Sequence, residues 1–150
     1  MNLEKYGITS DSDRLTFEFL SSGPNGTIKK VVLYQEIESD VYNLAMGDWN
    51  EQNQRIDDNT RSNNEDRDKV LATVASTVIE FIRHHPNATV FAKGNTPAKT
   101  RLYQIGIAAN FREITEVIEV QGFFTDTHSN GAWETFTKNR NYEAFTARAR

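Results

Sequence analysis

The sequence contains no cysteine among its 150 residues. This absence excludes disulfide bonds, thiolate metal sites and a cysteine nucleophile, and it favours a cytoplasmic location because cytosolic thiols are kept reduced. Apolar runs are also short, and none approaches the ~20 residues that span a bilayer. Residues 1–14 lack the apolar stretch of a secretory signal. The sequence therefore predicts neither a membrane partner nor a targeting segment.

Basic residues do not outnumber acidic ones either. The chain has 17 lysines and arginines against 21 acidic residues, which gives a net charge of -4. This balance disfavours a general nucleic-acid binder. Hydrophobic residues make up 37% and charged residues 25% of the chain, as in globular proteins. Because 150 residues can bury a core without disulfides or metals, we predict a single domain over residues 1–150.

Motifs that fix a reaction are also absent. The sequence has no P-loop spacing, no G-x-S-x-G nucleophile elbow and no zinc-deaminase signature. It has three histidines, and the adjacent pair His84 and His85 cannot share one face of a helix. We therefore predict no metal site, and the sequence leaves open whether the protein is an enzyme.

The N-terminal third has the patterns of three strands. Residues 15–20 alternate between apolar and polar side chains, and residues 28–35 and 41–47 are rich in β-branched and aromatic types. A cluster of turn formers at 21–26 separates the first two segments. Because the connections are short, we predict an antiparallel meander.

A polar, acidic segment follows at about 48–64, with Ile56 as its one aliphatic residue. It is typical of an exposed loop or of a hairpin tip. Since structureless loops of this length are unusual in domains, a further strand inside it is the alternative. A cation site would need the carboxylates to be fixed on rigid elements, so we favour a solvated loop. The residues concerned are Trp49, Asp57, Asp58 and Asp66.

Apolar residues then recur at spacings of three and four from Val70 to Ile82 and predict a helix over roughly residues 65–84. Asn63 or Asn64 is expected to cap it. Pro86 cannot continue a helix, so the helix is expected to end before it.

A short strand at 88–92 and a second helix come next. Thr96 is a good N-cap and Pro97 suits the first helical position. We expect this helix to bend near Gly106 and to extend its apolar face through Ile114.

Two further strands are predicted at 117–123 and 133–137, and the tail at 142–150 is left open between strand and helix. The predicted order is β-β-β-α-β-α-β-β. We therefore predict an α+β fold, a mostly antiparallel sheet with two helices packed on it.

The junction between the 88–92 strand and the second helix is the segment most suggestive of function. Free amides at a helix start and the helix dipole favour an anion there, and Gly94 would let a ligand approach the backbone closely. The alternative interpretation is a well-capped helix whose basic residues are solvated. The predicted ligand-binding residues are Lys93, Gly94, Asn95, Thr96, Lys99, Thr100 and Arg101.

Residues 93–103 read K-G-N-T-P-A-K-T-R-L-Y. This segment resembles a K-G-x-T-P-A-[KR]-T-R-L-Y motif of an uncharacterised family of small bacterial proteins, which implies a shared fold and no known activity.

The order helix, strand, helix, strand is also similar to the back half of GNAT-type N-acetyltransferases. Asn95, Ala98, Gly106 and Ile107 match the spacing found in that family. The resemblance implies an acyltransferase that binds coenzyme A, with Tyr103 as the general acid toward the departing thiol.

Three functions are consistent with the sequence. The leading hypothesis is a small binding domain whose partner is a protein or a small anionic ligand, without a cofactor and with the anion at residues 93–103. The first alternative is a GNAT-like acyltransferase, or a degenerate relative, that uses coenzyme A. The second is the regulatory half of a bacterial protein interaction pair.

Overall fold

The computed structural model describes residues 4–57, 64–126 and 128–150, without the side chain of residue 129. The alternating segments near the N-terminus form strands whose apolar sides face the same layer. A two-residue strand, β1 (Thr9–Ser10), pairs with β2 (Thr16–Gly23). The antiparallel meander continues through β3 (Gly26–Glu38) and β4 (Val41–Asn50), as predicted.

The remaining elements alternate between the sheet and the helical layer. In chain order they are β5 (Arg55–Asp57), α1 (Arg67–His84), β6 (Thr89–Ala92), α2 (Pro97–Ala109), α3 (Phe111–Val117), β7 (Ile118–Asp126), β8 (Ser129–Thr135) and β9 (Ala144–Ala149). None of the described helices is both long and apolar enough to cross a membrane.

The strands form one sheet in the order β1-β2-β3-β4-β6-β9-β7-β8, with β5 attached to β4. β4 and β6 are the one parallel pair among the described strands, and the other neighbours are antiparallel. The last strand of the chain, β9, lies between β6 and β7 and so closes the second half of the sheet.

The predicted α+β class is confirmed, and the order of elements largely matches the prediction. The prediction of two helices was wrong, because the second helix divides into α2 and α3 at Asn110. The Asn110 side chain donates to the carbonyl of Gly106 at 2.8 Å. Asparagine competes with the helical backbone through such local hydrogen bonds, so the helix ends and restarts there.

The acidic segment is partly strand. β4 extends to Asn50, and β5 pairs with its end. Residues 58–63, which include Asp58 and Asn63 of the predicted loop and cap, lie outside the described residues. The tail, left open between strand and helix, forms β9.

Asn64 does not cap α1, whose N-cap residue is Asp66. The Asn64 amide instead donates to Ser21 Oγ at 3.1 Å and to the carbonyl of Gly26 at 2.9 Å. Asp66 accepts the hydroxyls of Tyr6 and Ser21, both at 2.6 Å. The residues before α1 therefore attach the helix to the end of β2 and to the N-terminal segment.

The core lies between one face of the sheet and the helices. At its centre the rings of Tyr34 and Phe81 stack with centroids 4.2 Å apart, and both side chains are buried. The Tyr34 hydroxyl is 2.8 Å from Thr77 Oγ1, whose own proton is donated to the Val74 carbonyl. Tyr34 is therefore the donor, and its phenol must stay protonated to keep the bond.

We expect the protein to lose stability above pH 10 through Tyr34. Burial raises the pKa of the Tyr34 hydroxyl far above its ordinary value, and the charge of Tyr103 adds to this. Its contribution is complete below the unfolded pKa of ~10 and is lost above that pH at about 1.4 kcal/mol per unit. Urea unfolding between pH 7 and 11.5 should show a shallower decline for Tyr34→Phe, and equal slopes would contradict this assignment.

Candidate functional site at the carboxyl ends of strands β4 and β6

The parallel strands β4 and β6 pair over three residues each. Residues 41–43 of β4 pair with 89–91 of β6, while residues 48–50 pair with β5. β3 occupies the other side of β4 along residues 41–48, so β5 and β6 share one side. In the described part of the chain, residues 44–47 therefore have a partner strand on the β3 side only. We call this stretch of β4 the gap.

A lysine from α2 reaches into the gap. The Lys99 ammonium donates to the carbonyl of Met46 at 2.7 Å, and Lys99 itself is half-buried. Lys99 lies in the first turn of α2, which starts directly after β6. The positive charge of Lys99 and the positive end of the helix dipole therefore lie beside the gap in β4 and next to the carboxyl end of β6.

An apolar cavity of about 80 Å³ adjoins the gap. Protein interiors contain few voids larger than a water molecule, so unfilled apolar space of this size between the sheet and the helices is unusual. The cavity lies between the sheet and the helices α1, α2 and α3, it is partly open to solvent, and Tyr103 lines its wall. The lining residues that matter below are Leu44, Ala75, Val90, Ala92, Tyr103 and Phe145.

Gly94 and Thr100 join the strand end to the helix. The Gly94 amide donates to Thr100 Oγ1 at 2.9 Å. A Cβ on Gly94 would lie 2.5 Å from the backbone nitrogen of Thr100, which is closer than real Cβ atoms approach. The space next to Gly94 is therefore taken by the first turn of α2, and Thr100 is buried beneath it.

Thr96 caps α2 as predicted. Its hydroxyl accepts from the backbone of Lys99 at 3.1 Å, and its carbonyl accepts from that of Thr100 at 3.1 Å. Pro97 has no N–H to offer. Two of the amides that the sequence interpretation assigned to an anion are thus used inside the helix start.

The other predicted residues divide into two groups. Lys93 and Asn95 are exposed beside the start of α2. Arg101 is exposed and donates to Asn141 Oδ1 at 2.7 Å. The structure thus brings Lys99 and Tyr103 to the gap and the cavity and leaves Lys93 and Asn95 at the rim. It directs Arg101 toward the segment between β8 and β9.

Sequence reasoning singled out Asp57 of β5 in the acidic segment but missed the groups that β3 and β4 contribute beside it. Lys30 forms a buried ion pair with Asp48, and the register places Asp57 directly opposite Asp48. Like charges at directly opposite positions destabilise a sheet, and the Lys30 ammonium offsets this effect. The three residues form one row across the sheet, and only the strand register reveals that they meet.

Two comparisons find no counterpart of known function. No curated protein matches the chain, and no solved structure does. A family model described as a family of unknown function (DUF6934) matches residues 2–150.

Proposed function

Because the chain belongs to this family of unknown function, its site is the guide to its activity, and we propose that the domain binds a small extended ligand with an anionic end. The ligand would have three parts: an apolar tip in the cavity, an amide-bearing arm along the gap, and an anionic group near the start of α2. Coenzyme A and phosphopantetheine derivatives have this chemistry.

The cavity is the observation that carries the proposal. It is lined almost wholly by apolar atoms. Apolar cavities of this kind stay dry and bind small apolar groups. A short acyl group or the thiol end of a pantetheine arm would restore the contacts that the lining atoms lack.

The gap is the part of the site that would bind the amide-bearing arm of the ligand. An unpaired stretch of strand recognises extended chains through backbone hydrogen bonds, as when a peptide adds to a sheet edge. Among the described residues, 44–47 have no second partner strand, and this stretch adjoins the cavity because Leu44 belongs to both. The arm would replace or share the contact between Lys99 and Met46.

The local positive charge supports an anionic group at one end of the ligand. Lys93 and Lys99 flank the N-terminal end of α2, in a chain whose net charge is -4. A phosphate outside the gap would lie close to both ammonium groups and to the positive end of the dipole.

Acyl transfer is the second candidate, and the arrangement of β4 and β6 favours it. Two parallel strands that part after three residue pairs leave a groove where the GNAT resemblance would place the thioester. An amine nitrogen would attack the thioester carbonyl, the C–N bond would form and the C–S bond would break. Tyr103 would give its phenolic proton to the departing sulfur, and the proton that the attacking amine loses would restore the phenol by way of solvent. An acyl-coenzyme A substrate would have to be accepted for this function to hold.

The proposal predicts binding that depends on Lys99. Coenzyme A at ten times its dissociation constant should stabilise the protein by about 1.4 kcal/mol, which raises the melting temperature by a few degrees. Lys99→Met should weaken binding about tenfold because it removes a charge-assisted hydrogen bond. Lys29→Met is the matched control, because Lys29 is a partly exposed lysine on β3 that pairs with Glu18.

Calorimetric titration with coenzyme A, pantetheine and inorganic pyrophosphate would separate the parts of the ligand. Weaker binding of pantetheine and of pyrophosphate than of coenzyme A is expected. No binding of any of the three at millimolar concentration would overturn both ligand proposals and leave the protein-partner hypothesis, which a stable co-purifying protein would then support.

A further inference from the structure

A groove of about 410 Å³ lies near the start of β6, whereas the gap lies at the carboxyl end of that strand. The last turns of α1, the junction of α3 with β7 and the end of β9 form its sides. Arg148, which precedes the groove residues of β9, pairs with Thr89 at the beginning of β6. The groove is therefore separate from the gap, and its volume lies within the ~300–1,000 Å³ of small-molecule sites.

Aliphatic side chains make up much of the lining of this groove. Ile82 of α1 and Ile118 of β7 are buried, and Ile79 and Val117 beside them are half-buried. An aliphatic group of a ligand would leave water on entering the groove, which is favourable. The lining therefore suits a ligand with a small apolar body.

The guanidinium of Arg150 is held in one orientation beside these residues. It donates through Nε to the Thr115 carbonyl at 2.7 Å and through Nη2 to the Ile118 carbonyl at 3.5 Å. A guanidinium has five N–H donors, so these two contacts leave the others available to a ligand. Because the orientation is set by the backbone, less side-chain freedom is lost when a ligand binds.

Two further charged residues line the groove. Arg83 in the last turn of α1 and Glu116 in α3 are both exposed. Within the part of the chain that the structure describes, neither side chain forms an ion pair or a hydrogen bond. Opposite charges thus lie along one groove without neutralising each other.

We propose that this groove binds a small zwitterion with an aliphatic side chain, of the class of the α-amino acids. Its carboxylate would lie between Arg83 and Arg150, because guanidinium groups match the geometry of a carboxylate. Its ammonium group would donate to Glu116, since an ionised carboxylate only accepts hydrogen bonds. Its side chain would lie on the isoleucines. This site does not depend on the ligand proposed for the gap and the cavity.

The charge pattern selects a zwitterion over a ligand with one charge. A simple carboxylate would be attracted by the two arginines but repelled by Glu116, and a simple amine would be repelled by both arginines. A molecule with both charges satisfies all three groups at once.

An NMR titration that follows the backbone amides of the full chain tests the proposal. The probes are L-leucine, 4-methylpentanoate, which lacks the ammonium group, and 3-methylbutylamine, which lacks the carboxylate. Leucine has about nine non-hydrogen atoms, so a dissociation constant on the order of 0.1–1 mM is expected. Each analogue should bind about tenfold more weakly, because it loses a charge-assisted hydrogen bond. The shifted amides should be those of residues 82–83, 116–118 and 149–150.

Two variants separate the roles of the charges. Arg83→Gln should weaken the binding of leucine about tenfold. Glu116→Gln should weaken leucine similarly but strengthen 4-methylpentanoate, because the repulsion between two carboxylates is removed. Arg112→Gln is the matched control, since Arg112 is an exposed arginine of α3 outside the groove, and its replacement should change neither affinity.

Three results would contradict a zwitterion site in this groove. Leucine could give no saturable shifts up to about 10 mM, a tenfold excess over the weakest expected constant. Leucine and 4-methylpentanoate could bind equally well to the wild type. The shifts could also appear at Gly94 and Lys99 and not at the groove. None of these results would bear on the binding of coenzyme A, which the calorimetric titration measures at the other site.

Discussion

Replacing Ala75 by leucine is expected to stabilise the protein and to abolish ligand binding. Ala75 projects from α1 into the apolar cavity of about 80 Å³. A leucine there fills space that no atom occupies, and cavity-filling changes of this kind commonly add ~0.5–2 kcal/mol to stability. The same side chain would block the proposed place of the apolar tip, so the affinity for coenzyme A should fall by more than about thirtyfold, or ~2 kcal/mol.

Ala72→Leu is the matched control for this experiment. Ala72 is buried on the same helix and does not line the cavity. An added side chain in a well-packed region costs ~1–3 kcal/mol, so this variant should be less stable than the wild type. Urea unfolding and calorimetric titration measure the two effects separately.

Two outcomes would contradict the role of the cavity. If Ala75→Leu lowers stability as much as Ala72→Leu does, the cavity is not open space in solution. If Ala75→Leu raises stability and binds coenzyme A normally, the ligand does not use the cavity, and only the gap and the start of α2 remain as binding elements.

The second large effect is expected at Gly94. In Gly94→Ala the new methyl group would lie 2.5 Å from the backbone nitrogen of Thr100 and 2.6 Å from Cβ of Lys99. Both neighbours belong to the first turn of α2, so the helix start must move. Overpacking and the loss of the hydrogen bond from Gly94 to Thr100 together should cost ~2–4 kcal/mol.

Gly94→Ala should weaken ligand binding as well as stability. A displaced α2 would carry Lys99 away from the Met46 carbonyl, so binding of coenzyme A should weaken about tenfold or more. Gly7→Ala is the control, because a Cβ at Gly7 meets no atom within 4 Å and the residue has no positive φ. Its stability should stay within ~0.5 kcal/mol of the wild type. A neutral Gly94→Ala would show that the strand-to-helix joint is looser than its contacts indicate.

The sequence determined the elements whose signals are local. The spacing of three and four residues predicted α1, alternation predicted the meander of β2, β3 and β4, and Thr96 with Pro97 marked the start of α2. Such patterns depend on neighbours one to four residues apart, which the sequence shows directly. The sequence did not predict the division of the helix at Asn110. A single asparagine has weak helix propensity, but it does not end a helix unless its side chain bonds locally, as it does here to the Gly106 carbonyl.

The tertiary structure alone decided what lies around the junction. From the sequence, Gly94 suggested close approach by a ligand, whereas in the structure the approaching group is the backbone of Thr100. The gap in β4, the cavity and the row of Lys30, Asp48 and Asp57 all arise from pairings between residues distant in the chain. Alternation and short turns set the register of neighbouring strands, but they do not show which residues of strands distant in the chain lie opposite each other. Local sequence patterns therefore determine the helices and strands of this protein, whereas the pairing of distant strands determines its candidate site.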